Sequence, residues 1–152
     1  ALLALIENPD QLERLRSDTD SNIDGFVEES LRWVSPVRHF VRTAAEDYVL
    51  DGRMISKNES VALWYPSGNR DEDVFADSQK FNFSRSPNKH VAFGYGAHLC
   101  LGQHLARMEI RSLFKELLAR ADDIRLTDQS RYTHTAFVGG LKSLPIQLSK
   151  TI

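Results

Sequence analysis

The sequence has little cysteine, proline or glycine, and it has no long apolar run. Its 152 residues include one cysteine, five prolines and eight glycines. A single cysteine excludes an internal disulfide framework and is typical of a reducing compartment. No apolar run approaches the roughly 20 residues that span a bilayer, and the apolar opening has no basic flank of the kind that begins a signal peptide. We therefore expect a cytoplasmic protein with no membrane partner.

The sequence also has no large excess of charge of either sign. The formal net charge is −2 at pH 7, so the strongly basic surface typical of nucleic-acid-binding proteins is not expected. Hydrophobic residues make up 41% and charged residues 26%, as in ordinary globular proteins. The chain is long enough to bury a core, and it has no internal repeat or low-complexity tract. We expect one domain over residues 1–152.

Helices are predicted from caps and from apolar spacing. Asn8 and Pro9 suit the N-cap and first position of a helix that ends near Arg16, and the polar run at 17–21 predicts a loop. Apolar residues at helical spacing predict a second helix over 22–34.

A long helix follows Cys100 and ends near Arg120. Its apolar residues fall on one stripe, which predicts a buried face; these are Ile110, Leu113, Phe114, Leu117 and Leu118. Three basic residues share the face opposite this stripe: Arg107, Arg111 and Lys115.

Strands are predicted between residues 37 and 65 and again in the tail. Asp51-Gly52 is a strong hairpin-turn signal and 56–59 is a second turn, so two consecutive hairpins predict one small antiparallel sheet. Further short strands are predicted at 124–126, 135–138 and 144–148. The predicted fold class is mainly α with small antiparallel β-sheets (α+β).

Residues 93–102, Phe-Gly-Tyr-Gly-Ala-His-Leu-Cys-Leu-Gly, surround the single cysteine with glycines just before a helix. Glycines let backbone N–H groups approach a ligand closely, and a helix N-terminus adds partial positive charge. Both effects favour a thiolate over a thiol, which predicts a ligating sulfur at Cys100. Two alternatives stay open: a buried structural cysteine, and a structural zinc site built from Cys100 with His98, His104 and nearby His90.

The same stretch resembles the haem-binding loop of the cytochrome P-450 monooxygenases, which shares Phe93, Gly94, Gly96, His98, Cys100 and Gly102. The similarity extends over nearly the whole chain and corresponds to roughly the C-terminal third of family members. It is strongest to soluble bacterial members that oxidise terpenoids. The resemblance therefore implies that the chain is the C-terminal, haem-binding part of a longer protein with this fold, and that it is not active alone.

The resemblance implies haem b as cofactor, with Cys100 as the axial ligand of the iron. Such a thiolate donates electron density that favours cleavage of the O–O bond of bound O2. It further implies that Arg42, His90 and His98 contact the haem propionates, while Phe93, Gly94 and Gly102 shape the sulfur pocket. The substrate, a terpenoid or similar small hydrocarbon, would contact Val37, Phe40, Val41 and Val138. A non-catalytic haem-binding or sensor module is an open alternative.

Glu29 and Arg32 lie three residues apart on the second predicted helix. By spacing alone this is an exposed ion pair worth a few tenths of a kcal/mol. In the family that the chain resembles, Glu-x-x-Arg is a second signature, in which the pair is buried and joined by a later arginine that matches Arg85. The resemblance thus implies a structural triad with no role in the chemistry.

The partners implied are O2, a small hydrophobic substrate and a ferredoxin-type electron donor. That donor would dock on the cysteine side of the haem, where the basic row Arg107, Arg111 and Lys115 is expected. A solvated surface is the alternative interpretation of this row.

Overall fold

The computed structural model describes residues 1–149, in which three α-helices are followed by four short strands, two further α-helices and four more short strands. The helices are α1 (Leu2–Glu7), α2 (Pro9–Ser17), α3 (Thr19–Val34), α4 (Tyr65–Gly68) and α5 (Gln103–Arg120). The strands are β1 (His39–Thr43), β2 (Tyr48–Leu50), β3 (Arg53–Ile55), β4 (Ser60–Trp64), β5 (Asp123–Leu126), β6 (Arg131–Tyr132), β7 (Leu141–Ser143) and β8 (Ile146–Ser149). The predicted fold class is confirmed.

Helix α3 begins earlier than predicted. Asp18 is its N-cap and accepts a hydrogen bond from the Ser21 N–H at 3.1 Å, because a short acidic side chain satisfies a free N–H of the first turn. The loop predicted at 17–21 is therefore wrong, since its polar residues form the cap and first turn. The helix ends at Ser35, which adopts a left-handed conformation with φ 41°, and Pro36 follows.

The hydrophobic core lies between the long helices α3 and α5 and the short helices before them. Phe26 of α3 is fully buried, and its ring centroid lies 4.5 Å from that of Phe114 on α5. Burial of each such side chain stabilises the fold by about 1.5–3 kcal/mol. Phe114 and Leu118 are buried as predicted, whereas Leu113 is 62% exposed, because α5 packs against α3 on one side only.

The strands form four separate two-stranded antiparallel ladders: β1–β4, β2–β3, β5–β8 and β6–β7. Asp51 and Gly52 both have positive φ, as a tight hairpin turn requires, so that predicted turn is confirmed. The prediction of one sheet from consecutive hairpins is wrong, because β1 pairs with β4 and the β2–β3 hairpin forms a ladder of its own.

The predicted strand at 135–138 is reduced to an isolated bridge between Val138 and Val37. A search of the described residues for a helix long and apolar enough to cross a membrane found no candidate.

Candidate functional site

Cys100 lies at the end of a loop that is closed by its own backbone. Its N–H donates to the Phe93 carbonyl at 2.9 Å, and the Gly94 N–H donates to the Val91 carbonyl at 2.9 Å. Gly94 and Gly96 have φ of 75° and 71°, a conformation that costs other residues energy. The loop leads directly into α5, and the Cys100 side chain is exposed.

Gly102 differs from Gly94 and Gly96 in its backbone conformation. Its φ is −82°, so no left-handed backbone requires glycine there. A Cβ at this position would lie 4.0 Å from the Cys100 Sγ. The absence of a side chain therefore keeps the space beside the sulfur open.

Phe93 is held between two side chains that meet at one carboxylate. The Arg107 guanidinium lies 4.8 Å from the Phe93 ring centroid, and the His90 ring centroid lies 6.3 Å from it. Glu28 on α3 accepts from both: Arg107 Nε at 2.6 Å, Arg107 Nη2 at 3.0 Å and His90 Nε2 at 3.1 Å. Burial raises the pKa of Glu28, but the hydrogen bonds from His90 and Arg107 outweigh this effect and lower it to about 2.

His90 is not positioned as the resemblance implied. Its side chain is 3% exposed, and its Nδ1 lies 3.3 Å from the Ala92 N–H, which donates to it. Because Nδ1 accepts there and Nε2 meets Glu28, both ring nitrogens are used within the protein. The position therefore does not support a contact between His90 and a haem propionate.

The basic row of α5 faces α3, where the sequence analysis expected a solvated or partner-binding surface. Arg107 pairs with Glu28, Arg111 with Asp24 and Lys115 with Asp20. Both sets recur every four residues, so two antiparallel helices present them as a ladder with three rungs. The placement opposite the buried stripe was wrong, and the three cations are already neutralised within the chain.

Glu29 and Arg32 form a buried pair. Both side chains are 0% exposed, and Arg32 Nε and Nη2 each donate to one Glu29 oxygen at 2.8 Å. This bidentate geometry is the strongest arrangement for an arginine and a carboxylate. The alternative of an exposed ion pair is therefore wrong.

Arg85 lies beside this pair, and its Nε is 3.4 Å from Glu29 Oε2. That contact lacks hydrogen-bond geometry, whereas Arg85 Nη1 donates to the Ala76 carbonyl at 2.6 Å. The structure thus brings the three predicted residues together, with Arg85 as the outer member that also ties down the segment before it.

Asn69 is a buried residue that the sequence analysis missed. It is fully buried, its carbonyl accepts from Arg32 at 2.7 Å, and its side chain bonds Ser35 Oγ and the Val91 N–H. It thereby connects the Arg32 network to the start of the cysteine loop. A single asparagine in a polar stretch gives no sequence signal for such a role.

Arg42, Val37, Phe40 and Val41 lie on or directly before β1. Side chains alternate along a strand, so Phe40 and Arg42 share a face and Val41 points to the opposite one. Val37 and Val138 are brought together by their backbone bridge. His98, at the end of a short 3-10 turn, is exposed.

The residues present suit a haem better than a zinc ion. Within residues 1–149 there is no group of three or more His, Cys, Asp or Glu side chains that could hold a metal ion, so the zinc alternative is not supported. In the same loop, Leu101 directly after Cys100 is 98% exposed and Tyr95 is 88% exposed. One soft sulfur donor with apolar neighbours fits an iron carried in a flat apolar ring.

Known cytochrome P450 proteins are similar to this chain in sequence. The Cytochrome P450 family model matches residues 1–122. The chain belongs to the cytochrome P450 family. It is 43% identical over 150 residues to cytochrome P450-terp of a Pseudomonas species, covering 99% of this chain and 35% of that protein. The chain thus spans about a third of the length of this cytochrome P450 relative.

Solved cytochrome P450 structures have the same fold over this region. P450BioI in complex with an acyl carrier protein ligated to hexadec-9Z-enoic acid has a TM-score of 0.93 and 38% identity, covering 97% of this chain and 38% of its own. Mycobacterium marinum CYP268A2 in complex with pseudoionone has a TM-score of 0.92 and 44% identity, covering 95% and 35%.

Proposed function

We propose that the full-length protein containing this chain is a haem-thiolate monooxygenase, which inserts one oxygen atom from O2 into a C–H bond of a small hydrophobic substrate. The observation that carries the proposal is the exposed Cys100 sulfur at the start of α5, in a loop that two left-handed glycines close. Residues 1–152 would form part of one domain, and we place the protein in the cytoplasm because its single cysteine is free.

Haem b bound through a thiolate supplies O2 activation, because the sulfur donates electron density that favours O–O cleavage. In this proposal the Cys100 sulfur would hold the haem iron. Phe93 would limit the access of water to the sulfur, while Gly94, Gly96 and Gly102 would let backbone N–H groups approach it. Arg42 and His98 would bind the propionates through charge-assisted hydrogen bonds. His90 is left out, since it bonds Glu28.

The substrate side of the proposal rests on three residues. Phe40 shares the face of β1 that carries Arg42, and Val138 is bridged to Val37, so Phe40, Val37 and Val138 line the cavity. Val41 is dropped because it points to the opposite face of the strand. A terpenoid or similar hydrocarbon is supported by the relative named P450-terp and by the pseudoionone complex of CYP268A2.

For the electron donor we propose a ferredoxin-type protein. The paired cations of α5 are not free to attract it, because Glu28, Asp24 and Asp20 neutralise them. We therefore expect docking of this donor to depend less on Arg107, Arg111 and Lys115 than it would if these residues were unpaired.

Cys100→Ser in the full-length protein tests the assignment. We expect loss of the thiolate-type carbon-monoxide difference spectrum and of monooxygenase activity, because an alcohol does not supply the electron density of a thiolate. The measurement is the spectrum of the reduced protein with carbon monoxide, together with product formation.

His104→Ala is the matched control. His104 is a candidate ligand only in the zinc alternative, so this variant is expected to keep the spectrum of the wild-type protein. A Cys100→Ser protein with an unchanged spectrum and activity would refute the ligand assignment.

A further inference from the structure

We propose that Glu28 is a positioning residue for the cysteine ligand, an inference that rests on the proposed haem-thiolate function. Glu28 lies next to the signature glutamate Glu29 but faces α5, and the sequence analysis gave it no role. Its two carboxylate oxygens bind Arg107 and His90. Those two side chains belong to different parts of the chain, and this carboxylate binds both of them.

Both partners of Glu28 contact Phe93. The Arg107 guanidinium packs over the ring at 4.8 Å, in a cation–π contact that also fixes the plane of the guanidinium. The His90 ring lies against the same ring at an interplanar angle of 57°. Phe93 is therefore held from two directions.

Phe93 in turn holds Cys100 through a backbone hydrogen bond. The Phe93 carbonyl accepts the Cys100 N–H at 2.9 Å, so a shift of residue 93 moves the backbone that carries the sulfur. Groups that bind a ligand's own supports set its orientation and donor strength. The route from Glu28 to the sulfur thus runs through Arg107 and His90, then Phe93, then Cys100.

The Glu28–Arg107 pair is less exposed to water than the next pair of the ladder. Glu28 is only 32% exposed and Arg107 23%, and the two form a bidentate charge-assisted pair. The rung formed by Asp24 and Arg111 is its natural comparison, with side chains that are 72% and 38% exposed. Asp24 lies one turn away on α3 and bonds Arg111, whose partner residues do not include Phe93 in the described part of the chain.

The test compares Glu28→Gln with Asp24→Asn in the full-length protein. Each variant removes one charge of the ladder and keeps the size of the side chain. Hydrogen exchange of the amides at 93–100 is measured by mass spectrometry in haem-free and haem-loaded protein. We expect Glu28→Gln to speed exchange there by about tenfold, the effect of one lost charge-assisted hydrogen bond on a local opening. Asp24→Asn should change it less than about twofold, as for an exposed pair.

Two further measurements separate positioning from general destabilisation. Amides near Phe114 in α5 should exchange at the wild-type rate in Glu28→Gln, and its haem-loaded form should show a larger non-thiolate fraction in the carbon-monoxide spectrum. Equal exchange at 93–100 in Glu28→Gln and Asp24→Asn, or a uniform increase over the whole core, would overturn the inference.

If Glu28→Gln does not fold, Arg107→Lys provides a second test of the role of Glu28. Lysine retains the charge but cannot form the bidentate pair or stack its plane on Phe93, so it should also speed exchange at 93–100; unchanged exchange would contradict the proposal. If no preparation bound haem, the proposed function would fail, while exchange in the haem-free protein would still decide the role of Glu28.

Discussion

Arg32 uses every N–H group of its guanidinium inside the protein. Two bond Glu29, and three donate to the carbonyls of Asn69, Ser78 and Lys80 at 2.7, 2.9 and 3.1 Å. Arginine has five such donors, so the buried charge is completely satisfied. A pair of this kind adds little stability when formed, but removing one partner leaves an uncompensated charge in the interior.

Glu29→Ala or Arg32→Ala should therefore destabilise the full-length protein by about 3–5 kcal/mol and lower its haem content. Urea unfolding followed by circular dichroism, with haem quantified in the purified protein, is the measurement.

Glu116→Ala is the matched control for this pair. Glu116 bonds Arg120 four residues away on α5, with side chains 66% and 79% exposed, and its loss should cost less than about 0.5 kcal/mol. Variants of Glu29 and Arg32 that resemble this control would show that the buried pair is dispensable.

The spacing of Glu29 and Arg32 predicted only that the two side chains are neighbours. Their burial depends on carbonyls supplied by residues 69–80, far along the chain, and no local pattern encodes those contacts. The left-handed glycines of the cysteine loop could be anticipated, because the motif places them within a few residues of one another. His90 could not, since its partner Glu28 is 62 residues away.

At the scale of elements, periodicity predicted α3, α5 and the burial of Phe114 and Leu118, but it did not place the basic row of α5 next to α3. The row of Arg107, Arg111 and Lys115 has the same spacing whether it faces water or another helix. The decisive signal was the matching acidic row on α3. Asp20, its first member, fell in the segment predicted as a loop, so the complementary spacing was not visible.

Gly25 lies where α3 packs closely against the backbone around Phe83. A Cβ at Gly25 would lie 2.4 Å from the Phe83 carbonyl oxygen, so glycine permits the close approach of two backbones. Gly→Ala inside a helix normally stabilises by about 1 kcal/mol. Here the overlap should reverse the sign and make Gly25→Ala destabilising by about 1–3 kcal/mol in urea unfolding.

Gly140→Ala is the control for that prediction. A Cβ at Gly140 meets nothing within 4 Å, so its substitution should change stability by less than about 0.5 kcal/mol. A stabilised Gly25→Ala protein would show that α3 and the crossing segment separate at little cost.

For the whole molecule, the side of α5 that faces away from α3 carries several exposed apolar residues among polar ones such as Glu109 and Glu116. Leu105 and Met108 are each 54% exposed and Leu113 is 62% exposed, while Leu101 at the start of the helix is almost completely exposed. Apolar patches of this kind are covered in stable monomers. Since the chain spans about a third of its relative P450-terp, we expect the rest of the full-length fold to cover this side.

Residues 1–152 produced alone should therefore self-associate, bind haem weakly and turn over no substrate. Size-exclusion chromatography with light scattering, together with a haem titration, measures the first two. The double variant Leu105→Lys, Met108→Lys should reduce association, because it places charge in the patch on α5. Met54→Lys, at a residue 63% exposed on the β2–β3 hairpin, should not. If residues 1–152 alone formed a monomer that binds one haem per chain and unfolds cooperatively, the expectation that the rest of the protein covers α5 would be wrong.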